Sequence, residues 1–278
     1  MNKLVIAIFF TLGLCLTVNA QYAEKVRGDK NVTSRQTEIN SFHTIIVDED
    51  FEIDIIYNNM PSVIIETDEN LHEFIHFNVI DGVLTFDKTA KITSKKKLNI
   101  TVNYDDNLAN IRAIDKGEIT SLSSMNLLNT LVITEGSAKV GLTIKTSDFK
   151  LQSNGKSKVR LNLTADNTTL TLSDNSKIDA LIYSPATRVD LYLRSSATIE
   201  GETNELVLKT DNYSQFNGKN FTSKTCSSVN EISSDAYLEV LDNFTIDASG
   251  SSSVYLYGNP KIIVTRLEDT SKLQKKLK

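Results

Sequence analysis

A repeat of about twenty residues runs through the second half of the sequence and constrains the fold more than any other feature. Short turns built on Gly, Ser or Asn recur from about residue 115, with marks at Gly117, Ser137, Ser157, Ser176, Ser196, Ser214, Ser234 and Ser252. The spacing between successive marks stays close to this period along the whole series. A fixed period this short indicates stacked units that bury their apolar residues against one another.

A second series, of apolar triplets, follows the turns in register and selects the kind of repeat. The triplets occupy residues 131–133, 149–151, 170–172, 191–193, 206–208, 244–246 and 262–264. Leucine-rich repeats would need a Leu/Asn consensus and helical segments, and the sequence has neither. Alternating short strands with polar turns instead predict an all-β fold, a right-handed parallel β-helix with coils of about 20 residues stacked ~4.8 Å apart.

The sequence before the repeat is also rich in strand signals and is expected to form an N-terminal cap. Residues 42–47, 51–57, 62–65 and 98–104 are rich in β-branched and aromatic residues, and Asp81-Gly82 indicates a hairpin. We therefore expect one domain over residues 41–264, with the cap and first strands at 41–114 and repeat coils at 115–264. An N-terminal linker would occupy 21–40, and a basic tail at 265–278, frayed or briefly helical, would cover the other end.

The first twenty residues have the pattern of a secretory signal peptide. Lys3 precedes an almost unbroken apolar run over residues 4–16, and Val18 and Ala20 stand at the −3 and −1 positions of a cleavage site before Gln21. We expect cleavage between Ala20 and Gln21, and export to the periplasm, the outer-membrane surface or the medium. Cys15 lacks the small preceding residue of a lipobox, because Leu14 stands there. No later stretch reaches the ~18–20 apolar residues of a transmembrane helix.

Charge and cysteine content exclude several classes of function. Lys and Arg number 30 against 35 Asp and Glu, a formal net charge of −5, so we expect no nucleic-acid partner. If cleavage removes Cys15 with the signal peptide, Cys226 is the single cysteine of the mature chain. It stands one repeat after Leu208 and one repeat before Ile246, at an inward position of the coils, so we expect it to be buried and inert.

The sharpest catalytic motif in the sequence is a match to H-E-x-x-H at His72-Glu73-Phe74-Ile75-His76. On a long helix it would place two zinc ligands and a general base on one face. Here only about two turns are available before the Asp81-Gly82 hairpin, and the remaining histidine, His43, lies in a strand-like segment. We interpret the motif as a short amphipathic turn whose Leu71, Phe74 and Ile75 cover the end of the β-helix. We expect no metal or other cofactor.

Carboxylates are plentiful, but they do not form a recognisable catalytic pair. Glycoside hydrolases need two acids at ~5–5.5 Å or ~6.5–9.5 Å across a cleft, and coils this short leave little room for cleft-forming loops. We therefore interpret the acids of the coils as solvated surface residues: Asp166, Asp174, Asp179, Asp190 and Asp211. A polysaccharide lyase or glycoside hydrolase on a β-helix remains the alternative.

Two stretches of the sequence resemble a known family. The recurring Ser-x-(x)-Val/Ile turns, the stretch 248–260 and the opening from Phe42 to Phe86 are similar to the putative auto-transporter adhesin head GIN domain family. The resemblance covers about residues 40–264. It implies a right-handed β-helix in an exported or surface protein of the bacterial envelope, and it supplies no catalytic motif to carry over.

These observations together predict a non-enzymatic exported protein that binds through a repetitive polar face of Ser, Thr, Asn and Lys. Neither the anchoring nor the partner follows from the sequence. A glycan or a surface protein would suit a surface that repeats the same polar groups every ~4.8 Å.

Overall fold

The computed structural model describes residues 24–277 of the chain. It is nearly all-β, with 67% of residues in strands and 2% in helices, and forms a β-solenoid of about nine turns with coils of roughly 19 residues. The right-handed parallel β-helix that the repeat predicts is therefore confirmed. The expected signal segment, with Ala20 and Gln21 at its cleavage site, lies outside the described residues.

A single 3₁₀ helix in the described chain, Glu69–Phe74, lies between β5 and β6. The strands are numbered in chain order. Their bounds are β1 Lys25–Arg27, β2 Val32–Glu38, β3 Thr44–Val47, β4 Glu52–Tyr57, β5 Ser62–Asp68, β6 Ile75–Ile80, β7 Val83–Lys88, β8 Lys91–Ser94, β9 Leu98–Tyr104, β10 Asn110–Ala113, β11 Glu118–Ser121, β12 Met125–Asn126, β13 Asn129–Thr134, β14 Lys139–Ser153, β15 Lys158–Leu172, β16 Lys177–Tyr183, β17 Ala186–Leu191, β18 Ser196–Thr210, β19 Gln215–Asn230, β20 Asp235–Ala248, β21 Ser253–Tyr257, β22 Lys261–Leu267 and β23 Lys272–Lys275.

Strand β15 shows how one coil is built. Its first half places Val159, Leu161 and Leu163 inside, the chain then bends, and its second half places Leu170 and Leu172 inside. The residues between them point outward, since successive side chains of a strand alternate. Each inward residue stacks in register on its equivalent in the next coil, as Val159 does on Ile178. Burial of such a side chain contributes about 1.5–3 kcal/mol, so every coil is stabilised by its neighbours.

The coils form two long faces joined by the bends. Parallel pairing runs along the first face through β4, β11, β14, β15, β16, β18, β19, β20, β21 and β23. The second face runs through β3, β10, β13, β14, β15, β17, β18, β19, β20 and β22.

The N-terminal end is closed by a cap whose strands do not stack in chain order. The coil made of β3 and β4 lies between β7 and β9 on one side and β10 and β11 on the other. Beyond it, β5 pairs antiparallel with β9, and β6 pairs antiparallel with β7. The Asp81-Gly82 hairpin between β6 and β7 is confirmed, and both of its turn residues have positive φ, 50° and 72°.

The segment 21–40, expected to be a linker, contributes to this cap where it is described. Strand β2 pairs antiparallel with β5 along its whole length, from Val32 opposite Asp68 to Glu38 opposite Ser62. Strand β1 pairs with β8 in a small separate sheet. The carboxylate of Asp68, which is fully buried, accepts hydrogen bonds from the backbone N–H groups of Lys30 and Lys96 and so fastens the segment to the cap.

At the other end, the prediction of a frayed or briefly helical tail that covers the solenoid is wrong. Ser271 follows Ser252 by one coil and takes the same corner position, so the coil pattern continues. Residues Lys272–Lys275 then form β23, which pairs parallel with β21. These residues extend the stack instead of capping it.

Candidate functional site

An extended concave surface follows the bend between the two faces of the solenoid. The inward residue at this bend is small in four successive coils and recurs once per coil: Thr146, Ala165, Ser184 and Thr203. The hydroxyls are bonded to the backbone, as in the bonds from Ser184 Oγ to the carbonyl of Ala186 (3.0 Å) and from Thr203 Oγ1 to that of Glu205 (2.9 Å). Because these residues are small and their hydroxyls bond to the backbone, the chain at each bend lies close to the core. The successive bends therefore form a groove.

We call this surface the corner groove. It encloses about 760 Å³ and crosses seven coils, a length of roughly 29 Å at ~4.8 Å per coil. One wall carries the last outward residues of the first face: Asn126, Lys145, Thr164, Tyr183, Glu202 and Thr222. The facing wall carries the residues that follow the bend: Ser147, Asp166, Pro185, Asn204, Lys224 and Leu241. The groove is an open trough, continuous along the solenoid.

The lining of the corner groove combines an aromatic centre with dispersed polar groups. Tyr183 lies mid-length, in register between Thr164 and Glu202, and its side chain is 46% exposed. Lys145 and Lys224 lie towards opposite ends, with Asp166 and Glu202 between them. An exposed aromatic side chain among hydroxyls, amides and balanced charges suits contact with an elongated polar molecule.

The two carboxylates of the groove lie on opposite walls and in different coils. Asp166, Pro185 and Asn204 occupy equivalent positions in three successive coils, because the residues that follow them pair in register. Glu202 is in the same coil as Asn204, two coils beyond Asp166. The backbones of Asp166 and Glu202 are therefore separated by roughly 10 Å along the solenoid axis.

A column of lysines marks the first face near its N-terminal side. Lys139, Lys158 and Lys177 follow one another in register on β14, β15 and β16. Lys139 also pairs with Glu118 of the preceding coil, and this hydrogen bond raises the pKa of the lysine ammonium. The column is exposed and lies on a flat part of the face.

Farther along the same face, aromatic residues stack on each other. The rings of Tyr237 and Tyr255, one coil apart, lie 4.5 Å apart at an interplanar angle of 18°. The ammonium of Lys276 lies 5.0 Å from the centre of the Tyr255 ring. Partial burial, followed by the neighbouring Tyr255, raises the pKa of Tyr237. Because Lys276 covers Tyr255, this stack presents mainly ring edges to solvent and is a stabilising contact of the coils.

Most serines at the turns of the repeat lie inside the solenoid, so the expectation that they contribute to a binding face is wrong for these residues. The mark Ser137 is exposed, and six serines are buried: Ser157, Ser176, Ser195, Ser214, Ser234 and Ser252. Each donates a hydrogen bond to a carbonyl of the preceding coil, as Ser195 Oγ does to Leu172 at 3.3 Å. At the turn that contains Ser195 and Ser196, Ser195 points inward. Ser196, the residue used to define the repeat, points outward. The outward polar surface is therefore made mainly by Thr, Asn, Lys and acidic residues.

The H-E-x-x-H motif does not form a metal site. His72 is buried at the 3₁₀ helix and hydrogen bonds to Thr33 Oγ1 (3.0 Å), whereas His76 is exposed on β6. Burial, followed by the nearby positive charge of Arg35, lowers the pKa of His72. Within residues 24–277, no group of three or more His, Cys, Asp or Glu side chains is placed to hold a metal ion. Leu71 and Ile75 are buried and Phe74 is half-buried, so the covering role predicted for them is confirmed.

The structure also tests the predictions made for Cys226 and for the acids of the coils. Cys226 is buried, as predicted, and burial raises the pKa of its thiol. Its in-register neighbours are Leu206 and Phe244 instead of Leu208 and Ile246, so the predicted register is wrong by two residues. The prediction of a solvated surface is wrong for Asp190, which is 7% exposed and receives two hydrogen bonds from the Arg188 guanidinium (2.8 and 2.9 Å). Of the other acids, Asp166 lines the corner groove and Asp174 accepts a hydrogen bond from the N–H of Gly155.

Comparison with known families and structures agrees with this geometry. Residues 41–184 and 162–260 match the family described as putative auto-transporter adhesin, head GIN domain. The chain belongs to this family. The resemblance noted from the sequence is thus confirmed, and the matched residues include the corner groove.

Solved structures show the same fold at low sequence identity. A putative adhesin from Parabacteroides merdae is 18% identical, with a TM-score of 0.61 over 91% of this chain and 99% of that one. A putative lipid binding protein from Parabacteroides distasonis is 14% identical, with a TM-score of 0.62 over the same shares. A putative adhesin from the same species is 20% identical, with a TM-score of 0.55 over 91% of this chain and 100% of that one. No curated protein matches the chain.

The described part of the chain was also searched for membrane-spanning helices. Residues 24–277 contain no helix that is long and apolar enough to cross a bilayer.

Proposed function

We propose that the protein is exported and acts as a non-enzymatic adhesin-like scaffold that binds an extended polymer, a glycan or a surface protein, along the corner groove. The observation that carries the proposal is the groove itself, an open trough that crosses seven coils with Tyr183 at its centre. Membership of a family described as adhesin heads supports the same role. The expected signal segment before Gln21 supports export.

The shape of the groove favours many weak contacts over one tight pocket. Similar polar groups recur in it at each coil, so a polymer with a comparable repeat can contact several coils at once. Each contact is small, and binding becomes strong only when several sites or copies act together. A soluble fragment should therefore bind weakly, and the same protein displayed in many copies should bind strongly.

A binding experiment with matched tyrosine variants tests the groove. The purified protein is screened against glycans and matrix proteins in soluble form and on beads, together with Tyr183→Ala and Tyr213→Ala. Tyr213 is also exposed but lies at a turn outside the groove. Loss of one aromatic contact of about 0.5–1.5 kcal/mol should weaken binding roughly 2- to 10-fold in Tyr183→Ala only. Equal weakening by both substitutions would reject the groove as the binding surface.

The alternative, an enzyme that acts on polysaccharide, is tested in the same screen by following product formation. Asp166→Asn and Glu202→Gln each remove one groove carboxylate. Binding through many contacts should tolerate either substitution, whereas a hydrolase or lyase would lose nearly all turnover with one of them. Sustained turnover by the native protein that either substitution abolishes would replace the adhesin proposal with an enzyme.

Export is tested separately by the intact mass of the protein recovered from its native host. The proposal expects a chain that begins at Gln21, without lipid. A chain that retains residues 1–20, or one that carries a diacylglycerol on Cys15, would contradict this processing.

A further inference from the structure

The two ends of the solenoid are finished in different ways. At the N-terminal end, the antiparallel strands β2, β5 and β6 and the 3₁₀ helix cover the core, and Leu71 of that helix is fully buried. At the C-terminal end, β22 pairs with β20 and β23 pairs with β21. The outer edges of β22 and β23 have no partner strand within residues 24–277.

The open end is apolar where it continues the core. Ile262 and Val264 of β22, which continue the inward positions, are 42 and 51% exposed, and Ile263 between them, on the outer side of the strand, is 44% exposed. Their equivalents one coil earlier show what is missing, because Phe244 and Ile246, in register with Ile262 and Val264, are completely buried. Unpaired strand edges beside exposed apolar residues are a template for pairing with another chain.

Charges of opposite sign lie at opposite corners of this end. Glu268 and Asp269 follow the C-terminal end of β22. Lys261 begins β22 at the other corner, where the ammonium of Lys275 also bonds to the backbone carbonyl of Gly258. The end surface therefore has an acidic corner (Glu268, Asp269) and a basic corner (Lys261, Lys275), separated by the length of β22.

We infer that the C-terminal end binds a second copy of this chain, tail to tail, about a two-fold axis perpendicular to the solenoid. The rotation sets the two β22 strands antiparallel, continues both sheets, and brings the acidic corner of each copy to the basic corner of the other. The same patch serves both copies, as a two-fold requires. Because the other end is capped, the assembly closes as a dimer and does not extend into a filament.

The size of the end surface sets the expected strength of the dimer. Strand β22 spans about 23 Å, and two sheets ~10 Å apart with their side chains give a width of about 20 Å. Each copy then buries roughly 450 Å², or about 900 Å² in total, below the ~1,200–2,000 Å² of a standard interface. We therefore expect a reversible, concentration-dependent dimer.

Analytical ultracentrifugation of the purified protein over a wide concentration range tests the inference, with charge reversals as probes. Glu268→Lys and Lys261→Glu should each weaken dimerisation at least about tenfold, since each creates two like-charge contacts across the axis. The double variant Glu268→Lys/Lys261→Glu should recover the dimer. Lys91→Glu, an exposed change near the capped end, should leave it unchanged, and circular dichroism should show all four variants folded.

Three outcomes would overturn the inference. The first is a native protein that stays monomeric at the highest concentration. The second is a dimer that is equally strong in both single reversals, or that the double variant fails to recover. The third is growth into filaments, which would require the capped end to take part in assembly.

Discussion

The hydroxyl of Ser176 donates a hydrogen bond of 3.2 Å to the carbonyl oxygen of Ser153, which lies at the same bend of the preceding coil. The same hydroxyl also bonds to the carbonyl of Ser173 within its own turn, at 2.7 Å. Because Ser176 is completely buried, no water can replace it as the donor to either carbonyl. The serine series thus closes the corners of the coils from inside.

The first prediction is that Ser176→Ala destabilises the protein. Loss of the hydroxyl removes one buried donor that is shared between two carbonyl groups, both of which keep a backbone N–H donor, and we expect a loss of about 0.5–1.5 kcal/mol in the free energy of unfolding. Ser227→Ala is the matched control, because Ser227 is exposed on β19 and its replacement should change stability by less than about 0.5 kcal/mol. Urea denaturation measures both variants. A Ser176 variant as stable as the control would show that the corner bonds contribute nothing.

The repeat period and the strand composition were enough to predict the fold, because both report directly on stacking and alternation. The direction in which a small polar residue points was harder to read. Ser157 and Ser196 look alike in sequence, but the first is buried and bonded while the second points out. A serine suits either side of a turn, so only the register of the folded coil decides.

The same ambiguity concealed the corner groove. Its signal is present in the sequence, since Thr146, Ala165, Ser184 and Thr203 recur once per coil, but a column of small mixed residues does not stand out among many Ser and Thr.

The cap topology could not be predicted for another reason. The coil of β3 and β4 is inserted between strands that follow it in the chain, a pairing set by long-range packing instead of local pattern.

The second prediction concerns the thiol of Cys226. Burial raises its pKa, so the folded protein keeps the proton at pH values where the unfolded chain, with a thiol pKa of about 8.5, loses it. The folded state then binds more protons, and stability should fall as pH rises above about 8.5. Cys226→Val should lack this part of the pH dependence. Native labelling by a thiol reagent should also be slow, and rapid labelling would contradict the buried position.

The third prediction concerns His72, which anchors β2 through Thr33. Burial and Arg35 lower the pKa of the imidazole, so protonation is easier in the unfolded chain than in the folded one. The stabilisation is therefore complete above the unfolded pKa of about 6.5 and decreases as pH falls below it. The protection factors of the β2 amides, which correct for the slower intrinsic exchange at low pH, should therefore fall on acidification.

Two substitutions separate this effect from general acid sensitivity. His72→Gln should remove this loss of protection in β2, whereas His76→Gln, at an exposed histidine of β6, should retain it. If β2 opened with the same pH dependence in the native protein and in His72→Gln, another group would have to be responsible.

The last prediction concerns the column of lysines. Lys158 stands in register between Lys139 and Lys177, and like charges directly opposite one another on neighbouring strands repel. Lys158→Glu would make the charges alternate along Glu118, Lys139, residue 158 and Lys177, so we expect a higher midpoint of thermal unfolding. The increase should shrink at high salt, where exposed charges are screened. Lys150→Glu is the control, since the in-register neighbours of Lys150 are Leu131 and Thr169 and its reversal relieves no such repulsion. Equal shifts in the two variants would mean that net charge, and not the stacking of lysines, sets the stability of this face.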